Sequence, residues 1–80
     1  MSDLVLYCMT HCPYCWKVMR FMKQNGITIA YKDTAGYSEN RQELLRIVGK
    51  TQVPCLIIDG KALYESDDII EWLKTNWKKS

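Results

Sequence analysis

The opening third of the chain narrows the available folds more than any other stretch. Leu4 to Cys8 is a short apolar run holding Val5 and Tyr7, which reads as a buried strand. Cys12-Pro13 then opens a helix, because proline suits the first helical turn, where its missing N–H is no loss. Along that helix Cys15, Val18, Met19 and Met22 fall on one face, and Lys17, Arg20 and Gln24 on another. Asn25-Gly26 closes it. Ile27 to Lys32 reads as a second strand, with Ile27, Ile29 and Tyr31 alternating against Thr28, Ala30 and Lys32. A strand, a helix and a strand in that order imply a parallel pair joined by a right-handed crossover.

The remainder extends the sheet. Ala35-Gly36-Tyr37 is loop, and Ser38 is placed to cap a second helix whose inward residues are Leu44, Leu45 and Val48, with Gly49 as its stop. Val53-Pro54 leads into a third strand, Cys55 to Ile58. Asp59-Gly60 is a strong two-residue hairpin signal, so Lys61 to Tyr64 should return antiparallel. Ser66 is placed to cap a last helix with Asp67 and Asp68 in its first turn, where the helix dipole favours acids. Ile69, Ile70, Leu73 and Trp77 make its apolar face. The order β-α-β-α-β-β-α predicts an α/β fold, a four-stranded mixed sheet flanked by three helices. That is the thioredoxin-like arrangement. Eighty residues hold one such domain, spanning 1–80, since a shorter division could not bury a core.

Composition removes several function classes. At 48% hydrophobic and 25% charged the chain is globular rather than disordered or fibrous. Apolar runs such as Leu56-Ile57-Ile58 are too short to span a bilayer, and Met1-Ser2-Asp3 does not begin a secretory signal. The expected location is therefore cytoplasmic, with no membrane partner. A net charge of +2 is too mild to argue for nucleic acid. Its distribution is uneven, however: no acid lies between Leu4 and Lys32, where Lys17, Arg20, Lys23 and Lys32 sit. Most such runs are solvated helix faces, but the local positive potential also favours a thiolate.

The four cysteines, Cys8, Cys12, Cys15 and Cys55, are too few for a secreted disulfide scaffold. Cys12-Pro13-Tyr14-Cys15 is the informative group. Two cysteines three apart on a helical turn share a face, roughly 5–6 Å apart at Cβ, close to disulfide reach. Cys12 faces the unpaired N–H groups and positive dipole of the helix N-terminus, which stabilise its thiolate, with His11 beside it. Cys15, one turn further in, is expected to be more buried and less ionised. The first is suited to attack and the second to resolve a mixed disulfide. Zinc is the competing reading of the pair, but only Cys8, Cys55 and His11 remain as further ligands. Cys8 and Cys55 both lie in apolar settings that suit buried free cysteines, so no metal site is expected.

Two further segments bear on ligands. Thr51-Gln52-Val53-Pro54 places an X-Pro bond before a strand, and a cis bond there would leave the Val53 backbone groups free for an extended, peptide-like ligand. An ordinary trans proline at a strand start is the plainer alternative. In Tyr64-Glu65-Ser66-Asp67-Asp68 the acidic turn is a cap at the least. A free helix N-terminus beside Asp67 also suits a ligand carrying both carboxylate and ammonium groups.

Taken together, these segments resemble the glutaredoxins of the thioredoxin superfamily over nearly the whole chain. Cys12-Pro13-Tyr14-Cys15 is similar to that family's dithiol motif, Val53-Pro54 to its cis-proline, and Ser66-Asp67-Asp68 to its glutathione-binding Cys-Asp-Asp segment. Gln52-Val53-Pro54 with Glu65-Ser66 also resembles the first domain of glutathione transferases. The resemblance implies that Tyr14, Val53, Pro54, Ser66 and Asp67 form the glutathione site and that Arg41 meets the glycine carboxylate. Two departures stand out. Met9 replaces a lysine common three residues before the first active-site cysteine, and Tyr64-Glu65 replaces a double glycine.

The function expected is a glutathione-dependent thiol–disulfide oxidoreductase. It would be a monomer with glutathione as co-substrate and no tightly bound cofactor, acting on disulfide-containing or glutathionylated proteins. The alternatives are a [2Fe–2S] carrier built with glutathione, against which Pro13 argues by family resemblance, and a dithiol reductase fed by thioredoxin reductase.

Overall fold

The computed structural model describes residues 4–9 and 11–76. Its elements run β1 (Leu4–Cys8), α1 (Pro13–Gln24), β2 (Ala30–Asp33), α2 (Ser38–Val48), β3 (Cys55–Ile58), β4 (Lys61–Tyr64) and α3 (Ser66–Asn76). The sheet order is β2-β1-β3-β4. Strands β1 and β2 are parallel, while β3 pairs antiparallel with both β1 and β4. This is the predicted thioredoxin-like fold, a four-stranded mixed sheet with three helices.

Strand alternation divides the interior in two. Leu6 and Cys8 of β1 and Leu56 of β3 face α1 and α3, joining Cys15, Val18, Met22, Ile69 and Leu73 in the larger cluster. Tyr7, Cys55 and Ile57 point the other way and pack with Leu44 of α2. Trp77, expected on the apolar face of α3, lies outside the described residues.

Several local expectations need correction. Strand β2 begins at Ala30 rather than Ile27, although Ile27 and Ile29 are buried. The five residues of β1 can pair only so far, and its register matches Val5–Cys8 with Ala30–Asp33. Tyr31 consequently lies on an edge strand and is exposed. Ser38 is the first residue of α2, and Tyr37 holds the cap position without a side-chain hydrogen bond. Leu44 is fully buried, but Leu45, one residue and about 100° further around the helix, is exposed. Met19 of α1 is exposed for a similar reason: the buried stripe of Cys15, Val18 and Met22 passes beside it. Ser66 likewise begins α3 rather than preceding it, and the Ile69 N–H donates to the Glu65 carbonyl at 3.0 Å.

Candidate active site

The site is assembled where β1 ends and α1 begins. Cys12 takes the cap position of α1 with extended backbone, φ −92° and ψ 120°, and Pro13 starts the helix. The Cys12 N–H donates to the Met9 carbonyl at 3.3 Å, and the Cys12 carbonyl accepts from the Trp16 N–H at 3.1 Å. Its side chain is half-buried, whereas Cys15, one turn on, has no exposed surface. The predicted difference in access is therefore present. A disulfide substrate can reach Cys12 but not Cys15.

Cys15 Sγ is a hydrogen-bond hub. The Met9 N–H donates to it at 3.3 Å. The Cys8 and Cys12 thiols also lie close enough to act on it. These donors oppose burial and push the Cys15 thiol down, the Cys8 contact contributing most. Cys8 is pushed up, first by that same hydrogen bond and then by burial. Burial alone would hold Cys15 the less ionised, as the sequence suggests, but the donors around this sulfur outweigh its desolvation. Access sets Cys12 apart as the attacking group. Sequence reading treated Cys8 as an inert core residue; the signal to the contrary was its place on the same face of β1 as Leu6, directed at α1.

Val53 and Cys12 pack against the same core cluster. The Val53-Pro54 bond is cis, as the sequence suggested, and Pro54 is buried. Neither the N–H nor the C=O of Val53 is paired with another backbone group among the described residues. Gln52 donates from Nε2 to Glu65 Oε1 at 3.5 Å, tying the loop before β3 to the corner before α3. Glu65 itself has φ +71°, in the left-handed region that glycine enters most readily. It thus keeps the conformation of a glycine where the related pattern has one.

Ser66 is buried and Asp67 is exposed at the start of α3. Asp67 forms an ion pair with Lys17 of α1, a contact across 50 positions of sequence that no local pattern announces. Tyr14 projects into solvent from the first turn of α1. Arg41 is exposed on α2, which packs on the opposite side of the sheet from α1. Cys55 also belongs to that opposite cluster, and burial pushes its thiol up to about 11. The sheet thus separates Cys55 from the three cysteines that meet at α1.

Comparison with known proteins agrees with this geometry. Residues 6–79 match the family model "Glutathione S-transferase, N-terminal domain". A glutaredoxin of Pseudomonas aeruginosa is 30% identical over 69 residues, covering 86% of this chain and 82% of the relative. Among solved structures, glutathione transferase Omega 3C from Trametes versicolor superposes with a TM-score of 0.78 at 33% identity, over 94% of this chain and 34% of that one. A buckwheat glutaredoxin–glutathione complex superposes with a TM-score of 0.70 at 26% identity, over 92% of this chain and 70% of that one. With the dithiol at the helix start and the fold matching throughout, the chain belongs to the glutaredoxin family, thiol–disulfide oxidoreductases of the thioredoxin superfamily.

Proposed function

We propose that residues 1–80 act as one unit, a monomeric cytoplasmic reductase that uses glutathione to reduce protein disulfides and glutathione mixed disulfides. The observation that carries this reading is the unequal access of two thiols one helical turn apart, Cys12 at the start of α1 and Cys15 behind it. Cys12 attacks the substrate sulfur; that S–S bond breaks and the leaving thiolate takes a proton from solvent. With a glutathionylated substrate, Cys12 holds the glutathionyl group until a second glutathione releases it as oxidised glutathione. With a protein disulfide, Cys15 attacks Cys12 and frees the reduced protein, leaving the Cys12–Cys15 disulfide for two glutathiones to reduce.

The glutathione site in this reading is Tyr14, Val53, Pro54, Ser66 and Asp67, with Arg41 toward the glycine carboxylate. The Val53 backbone groups, without a backbone partner among the described residues, suit the peptide-like middle of glutathione. Asp67 suits its ammonium, in competition with Lys17. The buckwheat relative, solved as a glutathione complex, supports the choice of glutathione as co-substrate. The test is a coupled assay with glutathione plus glutathione reductase set against thioredoxin reductase as electron source. Turnover with glutathione and none with thioredoxin reductase is the expected result; the reverse would replace this reading with a thioredoxin-type one.

A further inference from the structure

Three cysteines, not two, meet at the active site, and the glutaredoxin reaction uses only two of them. Cys8 has no exposed surface and lies in the same core cluster as Cys15. The N–H of Met9, next along the chain from Cys8, donates to Cys15 Sγ at 3.3 Å, and Cys12 packs against the same cluster. The sulfur of Cys15 therefore has two possible partners.

The backbone around Cys8 is held firmly. Its carbonyl accepts from the Thr34 N–H at 2.9 Å and from Thr34 Oγ1 at 3.3 Å, while the next N–H, that of Met9, reaches Cys15 Sγ. Strand β1 and the first turn of α1 thus keep the Cys8 and Cys15 sulfurs together.

We infer that Cys8 is a third redox thiol, which takes over Cys15 from the Cys12–Cys15 disulfide to give a buried Cys8–Cys15 disulfide and a free Cys12. The step rests on the dithiol chemistry proposed above. The Cys8 sulfur attacks Cys15 Sγ; the Cys8–Cys15 bond forms as the Cys12–Cys15 bond breaks. Cys12 leaves with the electron pair, and the Cys8 proton passes to it or to solvent. One disulfide is present before and after, so no outside oxidant or reductant is consumed.

The sulfur released is the half-buried one, Cys12, and the new bond joins two sulfurs that have no exposed surface. The exchanged form would keep its oxidising equivalent out of reach of solvent while Cys12 stays open to attack a second substrate.

The location of the disulfide can be read directly. Reduced protein is treated with one equivalent of oxidised glutathione, quenched in acid, and its free thiols are blocked with N-ethylmaleimide at low pH. Trypsin leaves Cys8, Cys12 and Cys15 in one peptide ending at Lys17, and cyanogen bromide then cuts after Met9, between Cys8 and the other two. The inference predicts two fragments still joined by a disulfide through Cys8 and Cys15, with the blocking group on Cys12. In Cys8→Ser, blocking of Cys12 after oxidation should fall at least fivefold.

Fragments that separate with Cys8 blocked and Cys12 joined to Cys15 would overturn the inference and leave the dithiol reading intact. Cys12 carrying glutathione, with Cys8 and Cys15 both blocked, would also overturn it. If all three cysteines are blocked, both the inference and the glutathione reading fail.

Discussion

Asp67 faces two claims on one carboxylate. It pairs with Lys17 across the α1–α3 contact, and it is the group proposed to receive the ammonium of glutathione. Both ends of the ion pair are exposed, so the pair contributes little to stability and gives way readily to a ligand. Asp67→Ala should therefore raise KM for a glutathionylated substrate about fivefold, with kcat nearly unchanged, as expected for about 1 kcal/mol from one charge-assisted contact. Lys17→Ala should leave KM equal or lower, because it frees the carboxylate. Steady-state kinetics of both variants check this, and an Asp67→Ala enzyme with unaltered KM would reduce the acidic turn to a helix-end feature. Access makes a second prediction at this scale. Brief alkylation of the reduced protein should mark Cys12 before Cys8, Cys15 or Cys55, all three of which have no exposed surface. Peptide mapping reads the order, and early labelling of a buried cysteine would contradict it.

Among the elements, α2 is fastened to the sheet by a small polar clip. Tyr7 of β1 donates its hydroxyl to Glu43 of α2, and Lys32 of β2 pairs with the same carboxylate while lying 5.8 Å from the Tyr7 ring centre. Lys32 first, and then the Tyr7 hydrogen bond, hold the Glu43 carboxyl below its ordinary value near 4.5. A carboxyl lowered in the folded state contributes stability that is fully present above its unfolded value and is lost as pH falls through the folded one. Glu43→Gln should accordingly be less stable than the natural protein at pH 7, by about 1 kcal/mol. The two should converge in acid, once Glu43 is protonated in the folded protein as well. Urea unfolding at pH 7 and in acid tests this, and a gap that persists in acid would show that charge on Glu43 is not what fastens α2.

What was legible at this scale is what is encoded locally. Pro13 after Cys12, Asp59-Gly60, and Asn25-Gly26 each set a boundary through their own backbone preferences, and the structure places elements accordingly. Burial in Ile27 and Ile29 was legible too, but not the ladder, which depends on how far the short β1 extends. The Lys17–Asp67 pair and the Cys8–Cys15 contact were not legible, since each requires knowing which helix packs on which strand face.

For the whole molecule, the site depends on the packing that presses α1 and α3 against one face of the sheet. Leu73 is buried in that layer with Cys15, Val18 and Ile69. Leu73→Ala should cost about 3 kcal/mol, a large share of what so small a domain has, and lower Tm by more than 10 °C. A shift of only a few degrees in a calorimetric scan would mean that this layer is less tightly packed than described.

The central claim is that one accessible thiol begins both reactions and that the buried one is needed for only one of them. Cys15→Ser separates these roles, because the swap is close to isosteric and Cys12 is untouched. The measurement is the turnover of this variant with a glutathionylated protein and with a protein disulfide, side by side, with circular dichroism to check the fold. The predicted result is deglutathionylation within a few-fold of the natural rate together with loss of most protein-disulfide reduction. Loss of both activities in a folded Cys15→Ser protein would contradict it, and would mean that Cys12 cannot work without its buried partner.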